Sequence, residues 1–146
     1  MYKKIKKILI ANRGEIAVRI HRTAELMGIQ TVGIYSEADA KSLHIRMTDE
    51  KHPLGSNTLS ESYLNINKII QAALQTNCDA VHPGYGFLAE NPDFSKACKD
   101  TGLIFIGPDA EAVNKMGNKT EARKIADKAG LPMTKAVTGS TEDLLK

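Results

Sequence analysis

Short apolar runs of strand length alternate along this chain with longer segments whose apolar residues recur at helical spacing. Residues 7–11 form the first apolar run, and residues 15–27 follow with a helical period. The stripe of this helix that is predicted to face the core consists of Ile16, Ile20, Ala24 and Met27. Gly28 is expected to end the helix, and residues 31–36 form the next apolar run. The order of strand, helix and strand predicts a βαβ unit.

The middle of the chain continues this alternation. Pro53 lies within the short segment 51–55, and because proline cannot donate to a strand ladder, this strand is predicted at a sheet edge. Asn65 is a predicted helix cap. The helical pattern after it consists of Ile66, Ile69, Ile70, Ala73 and Leu74.

The last part of the pattern completes an α/β domain. Residues 80–82 are a predicted strand, and Asn91, Pro92 and Asp93 are typical of a helix start. Gly102 is expected to end that helix, and residues 103–106 form the last strand. Two short helices separated by Gly117 and Asn118 follow. We therefore predict a parallel sheet flanked by helices in residues 1–117, and a separate following region in residues 118–146.

Composition changes this picture little. The 146 residues suit one domain, and 42% hydrophobic with 25% charged residues is ordinary for a globular chain. The net charge is only +3, so the lysine run at residues 3–7 is interpreted as a solvated chain end and not as a nucleic-acid site. No apolar stretch approaches the ~20 residues of a membrane span, and no signal peptide is recognisable. We expect a cytoplasmic protein, or an organelle protein without its transit peptide, that binds neither nucleic acid nor membrane.

The two cysteines, Cys78 and Cys98, stand in unrelated contexts without a histidine at metal-ligand spacing. Both are predicted to be small core residues in a reducing compartment, and no metal site is expected.

Two loops carry candidate chemistry, because ligands of open parallel sheets bind at the carboxyl ends of strands. The first, residues 12–15, could present backbone N–H groups and a helix dipole to an anion. Its single glycine fits neither the dinucleotide nor the P-loop pattern, so a tight turn is favoured. The second, residues 82–88, holds Tyr85 between Gly84 and Gly86. A ligand-binding loop and a structural turn stay equally open there.

Other polar residues near these loops have structural interpretations. His82 is expected to be a hydrogen-bonded core residue. Glu90 and Asn91 are expected to start a helix. Residues 36–39 contain an acid where nucleotide-binding folds hold a ribose, but a helix cap is the favoured interpretation.

Six segments carry a family resemblance. They are KILIANRGEIAVRI, YSEADAKSLH, SESYLNINKII, HPGYGFLAEN, LIFIGP and MGNKTEARKIADKAGLP. Their order and spacing over residues 7–132 resemble the biotin carboxylase family. That family includes free-standing biotin carboxylase subunits and the corresponding regions of acetyl-CoA, propionyl-CoA, methylcrotonyl-CoA and pyruvate carboxylases.

The resemblance implies a fold and a reaction. The family has a Rossmann-like N-terminal domain before an ATP-grasp region, so residues 118–146 would be the truncated start of the latter. Its members use ATP and Mg²⁺ to activate bicarbonate, and transfer the carboxyl group to biotin on a carrier. Implied partners are a biotin carboxyl carrier protein or domain and a carboxyltransferase component. The implied compartment is the cytoplasm, or the mitochondrial matrix in a eukaryote.

The resemblance also assigns roles to a few residues. Lys119 matches the family's first ATP-contacting lysine, whose ammonium would bind phosphate oxygens. Tyr85 and Gly86 match the loop that faces biotin and bicarbonate, and Glu90 matches a motif position that would support it. The sequence has Asn118 and Ala89 where the family usually has Asp and Ser, and neither change removes a group that does chemistry.

The family's remaining machinery has no counterpart before Lys146. It includes a second nucleotide-clamping lysine, the glycine-rich phosphate loop, the Mg²⁺ ligands, and the arginine and glutamate that bind bicarbonate. Without a phosphate clamp or metal ligands the developing charge cannot be stabilised, so no catalytic residue is expected here and the isolated chain is predicted to be inactive.

One stripe of the first helix points to self-association. Arg19, Arg22 and Leu26 share a face opposite the predicted buried stripe. In the family this face helps to form a homodimer through charged residues, and Leu26 stands where an acid is often found. A solvated face and an interface both remain open.

Two alternative functions remain. The chain could be a non-catalytic module for subunit association, or a carbamoyl-phosphate synthetase-like ATP-grasp protein that acts without biotin. The loop HPGYGFLAEN favours the biotin enzymes over the latter.

Overall fold

The structure is a computed structural model that describes residues 4–117 and 119–134. Its centre is a parallel sheet of five strands: β1 (Lys7–Ile10), β2 (Gln30–Ser36), β3 (Glu50–Gly55), β4 (Ala80–His82) and β5 (Ile104–Phe105). The spatial order is β3-β2-β1-β4-β5, and every neighbouring pair is parallel. The predicted parallel α/β fold is confirmed.

The helices lie between and after the strands. They are α1 (Gly14–Leu26), α2 (Leu43–Met47), α3 (Ile66–Gln75), α4 (Pro92–Asp100), α5 (Ala110–Gly117) and α6 (Lys119–Lys128). Single 3-10 turns at Glu37–Asp39 and Leu59–Glu61 complete the regular structure of the described residues. Asn118 and residues 135–146 lie outside the described part, and the domain boundary after Gly117 stays a prediction.

Predictions that rest on local chemistry are confirmed. The strand with Pro53, β3, lies at the edge of the sheet. The Asn65 side chain accepts a hydrogen bond from Lys68 N at 3.0 Å and caps α3. The Asn91 side chain accepts from Asp93 N at 2.8 Å and caps α4.

The core has two layers, one on each face of the sheet. Alternate residues of β1 point to opposite faces, so Leu9 joins the layer under α3 and α4. Ile8 and Ile10 join the smaller layer under α1. Both cysteines are free and buried in the first layer, as predicted.

The predicted buried stripe of α1 is wrong in part. The buried residues of α1 are Ala17, Val18, His21 and Ala24. Ile16 and Ile20 are only half-buried, and Met27 is 67% exposed. Ala17 and Ala24 belong to the core layer under α1, and Ile20 packs against the margin of that layer. Ile16, Ile20 and Met27 line an open apolar groove of about 480 Å³ beside α1, whose other wall includes Ile8 and Ile106.

A smaller correction applies to α3. Leu74 is 40% exposed, and Ala72 occupies the fully buried position instead. Both residues lie on the apolar side of the helix, and the smaller one fits the narrow gap next to the sheet.

Candidate functional site

The two candidate loops leave the sheet side by side. β1 pairs with β4 in a register that places Ile10 beside His82, so residues 11–13 and 83–91 emerge from the same edge. The strand order changes direction between β1 and β4, since β2 and β3 follow on one side and β5 on the other. In open α/β sheets a ligand crevice lies outside the carboxyl ends of strands at such a switch point.

Asn12 joins the two loops. Its side chain is 1% exposed, and its amide nitrogen donates to Pro83 O at 2.9 Å and to Tyr85 O at 3.0 Å. Its Oδ1 atom accepts from Arg13 N at 2.9 Å. The two carbonyl acceptors and the one N–H donor fix which side-chain atom is nitrogen and which is oxygen.

Gly84 allows the loops to approach each other this closely. It has φ +68°, and a Cβ atom at this position would lie 2.7 Å from Ile16 Cγ2 and 2.9 Å from Asn12 Nδ2. A side chain at this position would therefore need both an unfavourable backbone conformation and displaced neighbours.

The tip of the second loop projects outward. Tyr85 is 60% exposed, and its hydroxyl donates to Glu15 Oε2 at 3.0 Å, which raises the pKa of the phenol. Gly86 is exposed and has φ +69°, and Phe87 has φ +44°, which is uncommon for a residue with a side chain. The Phe87 ring stacks on Tyr63 with ring centroids 5.4 Å apart. The loop is therefore held from three sides while its tip stays accessible.

A polar network under the loops connects β2 with the first loop. The Tyr63 hydroxyl is buried, donates to Asp39 Oδ2 at 2.8 Å and accepts from Ser36 N at 3.2 Å. Arg13 forms an ion pair with the same carboxylate at 2.8 Å. Burial raises the pKa of Tyr63 to about 12, so the phenol stays protonated. Burial alone would raise the pKa of Asp39, but the bond from Tyr63 and the charge of Arg13 lower it.

The helix-cap interpretation of residues 36–39 is wrong. The Ser36 side chain caps no backbone N–H group, and instead donates to Asp39 Oδ2 at 3.3 Å. The Asp39 carboxylate already accepts from Tyr63 and Arg13, and from Ser42 at 3.3 Å. It therefore acts as a structural anchor for the loop after β1.

His44 caps α1 from another helix. Its Nδ1 atom accepts from Gly14 N at 3.3 Å, and its Nε2 atom donates to Ile34 O at 3.3 Å. This pair of partners fixes a neutral imidazole with the proton on Nε2. Burial lowers the pKa of His44, in agreement with that state. Because Gly14 N–H is bound by this side chain, the first loop behaves as the predicted tight turn.

His82 is likewise engaged by the protein. Its Nδ1 atom accepts from Gly84 N at 3.0 Å, and burial lowers its pKa. The predicted hydrogen bond is present, but His82 is half-buried and lines the groove beside α1, so the prediction of a core residue is wrong in that part.

The remaining predicted site residues lie elsewhere on the surface. Glu90 is exposed just before α4, and Lys119 is exposed at the first residue of α6. Arg19, Arg22 and Leu26 are all exposed along α1, and Leu26 is 89% exposed. Of the predicted site residues, Tyr85 and Gly86, which are neighbours in sequence, lie at the carboxyl end of the sheet. The roles of all these residues stay predictions.

Sequence reasoning missed the supports of the loop. Asn12, Asp39, Tyr63 and His44 have polar atoms whose partners lie in other elements. An asparagine directly after a buried strand is a usable signal, because a buried amide must find partners on a neighbouring segment.

The described residues, 4–117 and 119–134, contain no group of three or more His, Cys, Asp or Glu side chains placed to hold a metal ion. Within the same ranges, none of the helices has the length and apolar character needed to cross a bilayer.

These loops, at the carboxyl ends of a doubly wound parallel sheet, define a Rossmann-like domain whose candidate site lies at its switch point. Residues 4–113 match the model described as "Biotin carboxylase, N-terminal domain", so the chain belongs to that family.

Individual relatives agree. Biotin carboxylase 1 of Bacillus subtilis is 49% identical over 140 residues, which are 96% of this chain and 31% of that protein. Human mitochondrial pyruvate carboxylase is 52% identical over 133 residues, which are 90% of this chain and 11% of that protein. The chain therefore spans a third or less of these relatives.

A solved structure confirms the architecture. The biotin carboxylase domain of a thermophilic 2-oxoglutarate carboxylase, bound to bicarbonate, superposes with a TM-score of 0.86 at 43% identity. The match covers 92% of this chain and 30% of that one.

Proposed function

We propose that this chain forms the amino-terminal border of a biotin carboxylase active site, in an enzyme that uses ATP and bicarbonate to carboxylate carrier-bound biotin. The observation that carries this proposal is the Tyr85–Gly86 tip, which is exposed yet held in place at the switch point of the sheet. Its supports come from β1, α1 and the segment before α3, so the tip is preorganised.

The tip offers two kinds of contact to a substrate. The Tyr85 hydroxyl can donate or accept a hydrogen bond, and its ring gives an apolar surface. Gly86 has no side chain, so a substrate can approach its backbone closely. These contacts suit a planar polar group such as the ureido ring of biotin, with bicarbonate beside it. Glu90 supports this edge of the site in the proposal.

Lys119 is the proposed contact to ATP. Lys119 is exposed and is the first residue of α6. Its positive charge and the helix N-terminus both favour the binding of phosphate oxygens. ATP supplies the phosphoryl group that activates bicarbonate. In the proposal the Mg²⁺ ligands belong to the ATP-grasp part of the family, as the family resemblance implies.

A chimaera with a relative tests the proposal. The present chain replaces the matching segment of Biotin carboxylase 1 of Bacillus subtilis. Bicarbonate-dependent ATP cleavage by this chimaera is then measured with free biotin. We expect the chimaera to be active. A folded chimaera without activity would contradict the proposal and favour the alternative of a non-catalytic association module.

The same chimaera tests the role of Lys119. Lys119→Gln is expected to raise the KM for ATP, because one charge-assisted contact to phosphate is lost. Lys124→Gln is the matched control, since Lys124 lies on the same helix and pairs with Glu121. Equal KM values for ATP in both variants would show that Lys119 does not contact ATP.

The isolated chain is proposed to be inactive, because the machinery that clamps phosphate and metal is expected elsewhere. The same assay on the purified 146-residue chain is expected to give only background ATP cleavage. Turnover above background that depends on bicarbonate and biotin would show that the chain is sufficient.

Partners follow from the same proposal. A biotin carboxyl carrier protein or domain would bring biotin to the tip, and a carboxyltransferase component would use the product. The exposed stripe of Arg19, Arg22 and Leu26 is the proposed homodimer surface. Light scattering is expected to show a dimer that Arg22→Glu weakens, and a monomer at high concentration would exclude this surface.

A further inference from the structure

Asn12 links the segments that follow β1 and β4 just beyond the ends of both strands. The last backbone bond of the β1–β4 ladder runs from Ala11 N to His82 O at 2.9 Å. Beyond that bond the Asn12 side chain donates to Pro83 O and Tyr85 O, on either side of Gly84. A side-chain amide thus ties the loop after β4 to the segment that follows β1.

The loop needs such support because its backbone is unusual. Gly84, Gly86 and Phe87 all have positive φ, at +68°, +69° and +44°. Glycine adopts positive φ without strain, but the conformation of Phe87 persists only where surrounding contacts over-determine it. The contact from Glu15 holds the Tyr85 side chain, and the Tyr63 ring holds Phe87. Asn12 binds the carbonyl groups on either side of Gly84, and His82 Nδ1 accepts from Gly84 N.

The chemistry required at position 12 is specific. Two donors must face two carbonyl oxygens, while an oxygen faces Arg13 N. Aspartate has the same shape but offers only acceptors when ionised, and alanine offers neither.

We infer that Asn12 is a positioning residue whose two amide donors set the conformation of the Tyr85–Gly86 tip. The inference deepens the proposed function and its importance for catalysis rests on it. The structural part can be tested on this chain without any substrate.

The test compares backbone amide resonances of the purified chain with those of Asn12→Asp and Asn12→Ala. Both variants are expected to shift the resonances of residues 84–87, because the carbonyl groups of Pro83 and Tyr85 lose their donor. Hydrogen exchange of Gly84 N–H, which is bound to His82 Nδ1, should speed up on the order of tenfold, because the loop that carries this bond is loosened by the loss of about one net hydrogen bond. Asn65→Asp is the matched control, since Asn65 only accepts a bond as a helix cap and an ionised carboxylate can do the same.

A pH titration separates positioning from simple space filling. When the new carboxyl of Asn12→Asp is protonated it regains one donor, so its loop resonances should move back toward the unsubstituted chain as pH falls. Asn12→Ala should show no such return. The unsubstituted chain is titrated in parallel, because the nearby charged and titratable groups are Arg13, Glu15, His44 and His82.

One measurement on the unsubstituted chain keeps the inference testable even if both variants unfold. Both side-chain amide hydrogens of Asn12 should exchange slowly, because each has a carbonyl partner. Fast exchange of these hydrogens would overturn the inference. Unchanged resonances at residues 84–87 in folded Asn12→Ala would overturn it as well.

The chimaera then links position to catalysis. There Asn12→Asp is expected to lower kcat for biotin carboxylation by roughly 10- to 100-fold, the range for a misplaced contact, with the KM for ATP unchanged. If Asn12→Asp shifts the loop resonances but the unsubstituted chimaera is inactive, the proposed function alone is refuted. If the unsubstituted chimaera is active but Asn12→Asp leaves the loop resonances unchanged, the role of Asn12 alone is refuted.

Discussion

Replacing Gly84 by alanine tests the closeness of the two loops. The added Cβ atom would meet Ile16 Cγ2 at 2.7 Å and Asn12 Nδ2 at 2.9 Å, distances that real structures essentially never show. The methyl group would also have to sit at φ +68°. The substitution therefore combines a backbone cost with a packing cost.

The two costs can be estimated separately. An alanine in the left-handed region costs about 1–2 kcal/mol relative to its preferred conformation. Forcing one extra carbon into a packed site costs about 1–3 kcal/mol. We expect Gly84→Ala to lower the free energy of unfolding by about 2–5 kcal/mol.

Two other glycines provide controls for the backbone cost. Gly28 has φ +67° and Gly86 has φ +69°, and an added Cβ atom would meet nothing within 4 Å at either position. Gly28→Ala and Gly86→Ala should therefore lose only the backbone part, about 1–2 kcal/mol. Urea unfolding followed by circular dichroism gives all three values under identical conditions.

One outcome of this comparison would contradict the close contact between the loops. If Gly84→Ala costs no more than Gly28→Ala, the loops do not lie as close as the structure shows. The contact between Gly84 and Asn12 would then be wrong, and the geometry of the site with it.

Three further predictions concern groups around the loops. Tyr63→Phe should lower the free energy of unfolding by about 1–3 kcal/mol, because Asp39 loses one of its donors and the buried Ser36 N–H loses its acceptor. Tyr85→Phe, at an exposed hydroxyl, should leave the free energy of unfolding unchanged, and equal losses would contradict the network. The free energy of unfolding should fall as the pH drops below about 6.5, which is the usual pKa of a histidine in an unfolded chain. The reason is that burial lowers the pKa of His44 in the folded state, so that below this pH the unfolded chain binds a proton that the folded chain does not. His44→Gln should flatten that fall between pH 7 and 5 in urea titrations, and an unaltered slope would argue against the assigned state. The buried thiols, whose pKa is raised by burial (to about 12 for Cys98), should react with a thiol reagent only on unfolding; rapid labelling of the native chain would refute their burial.

Features set by local chemistry could be predicted from the sequence. Pro53 marks an edge strand because it lacks a donor, and Asn65 and Asn91 cap helices through contacts within three residues. Such features need no knowledge of the tertiary structure.

Features that depend on contacts between residues far apart in the sequence could not be predicted. The Asn12 amide binds a carbonyl 71 residues away, and no periodicity indicates that pairing. The orientation of α1 was equally hidden, because its small residues and its isoleucines form adjacent apolar faces. Which of the two packs on the sheet depends on how closely the helix can approach.

The central claim is that the Tyr85–Gly86 tip borders the site of biotin carboxylation. A crystal structure of the chimaera with biotin and bicarbonate tests it most directly. The account predicts that Tyr85 or Gly86 lies within contact distance of about 4 Å of biotin or bicarbonate. Both ligands bound in an active chimaera with no contact to either residue would contradict it.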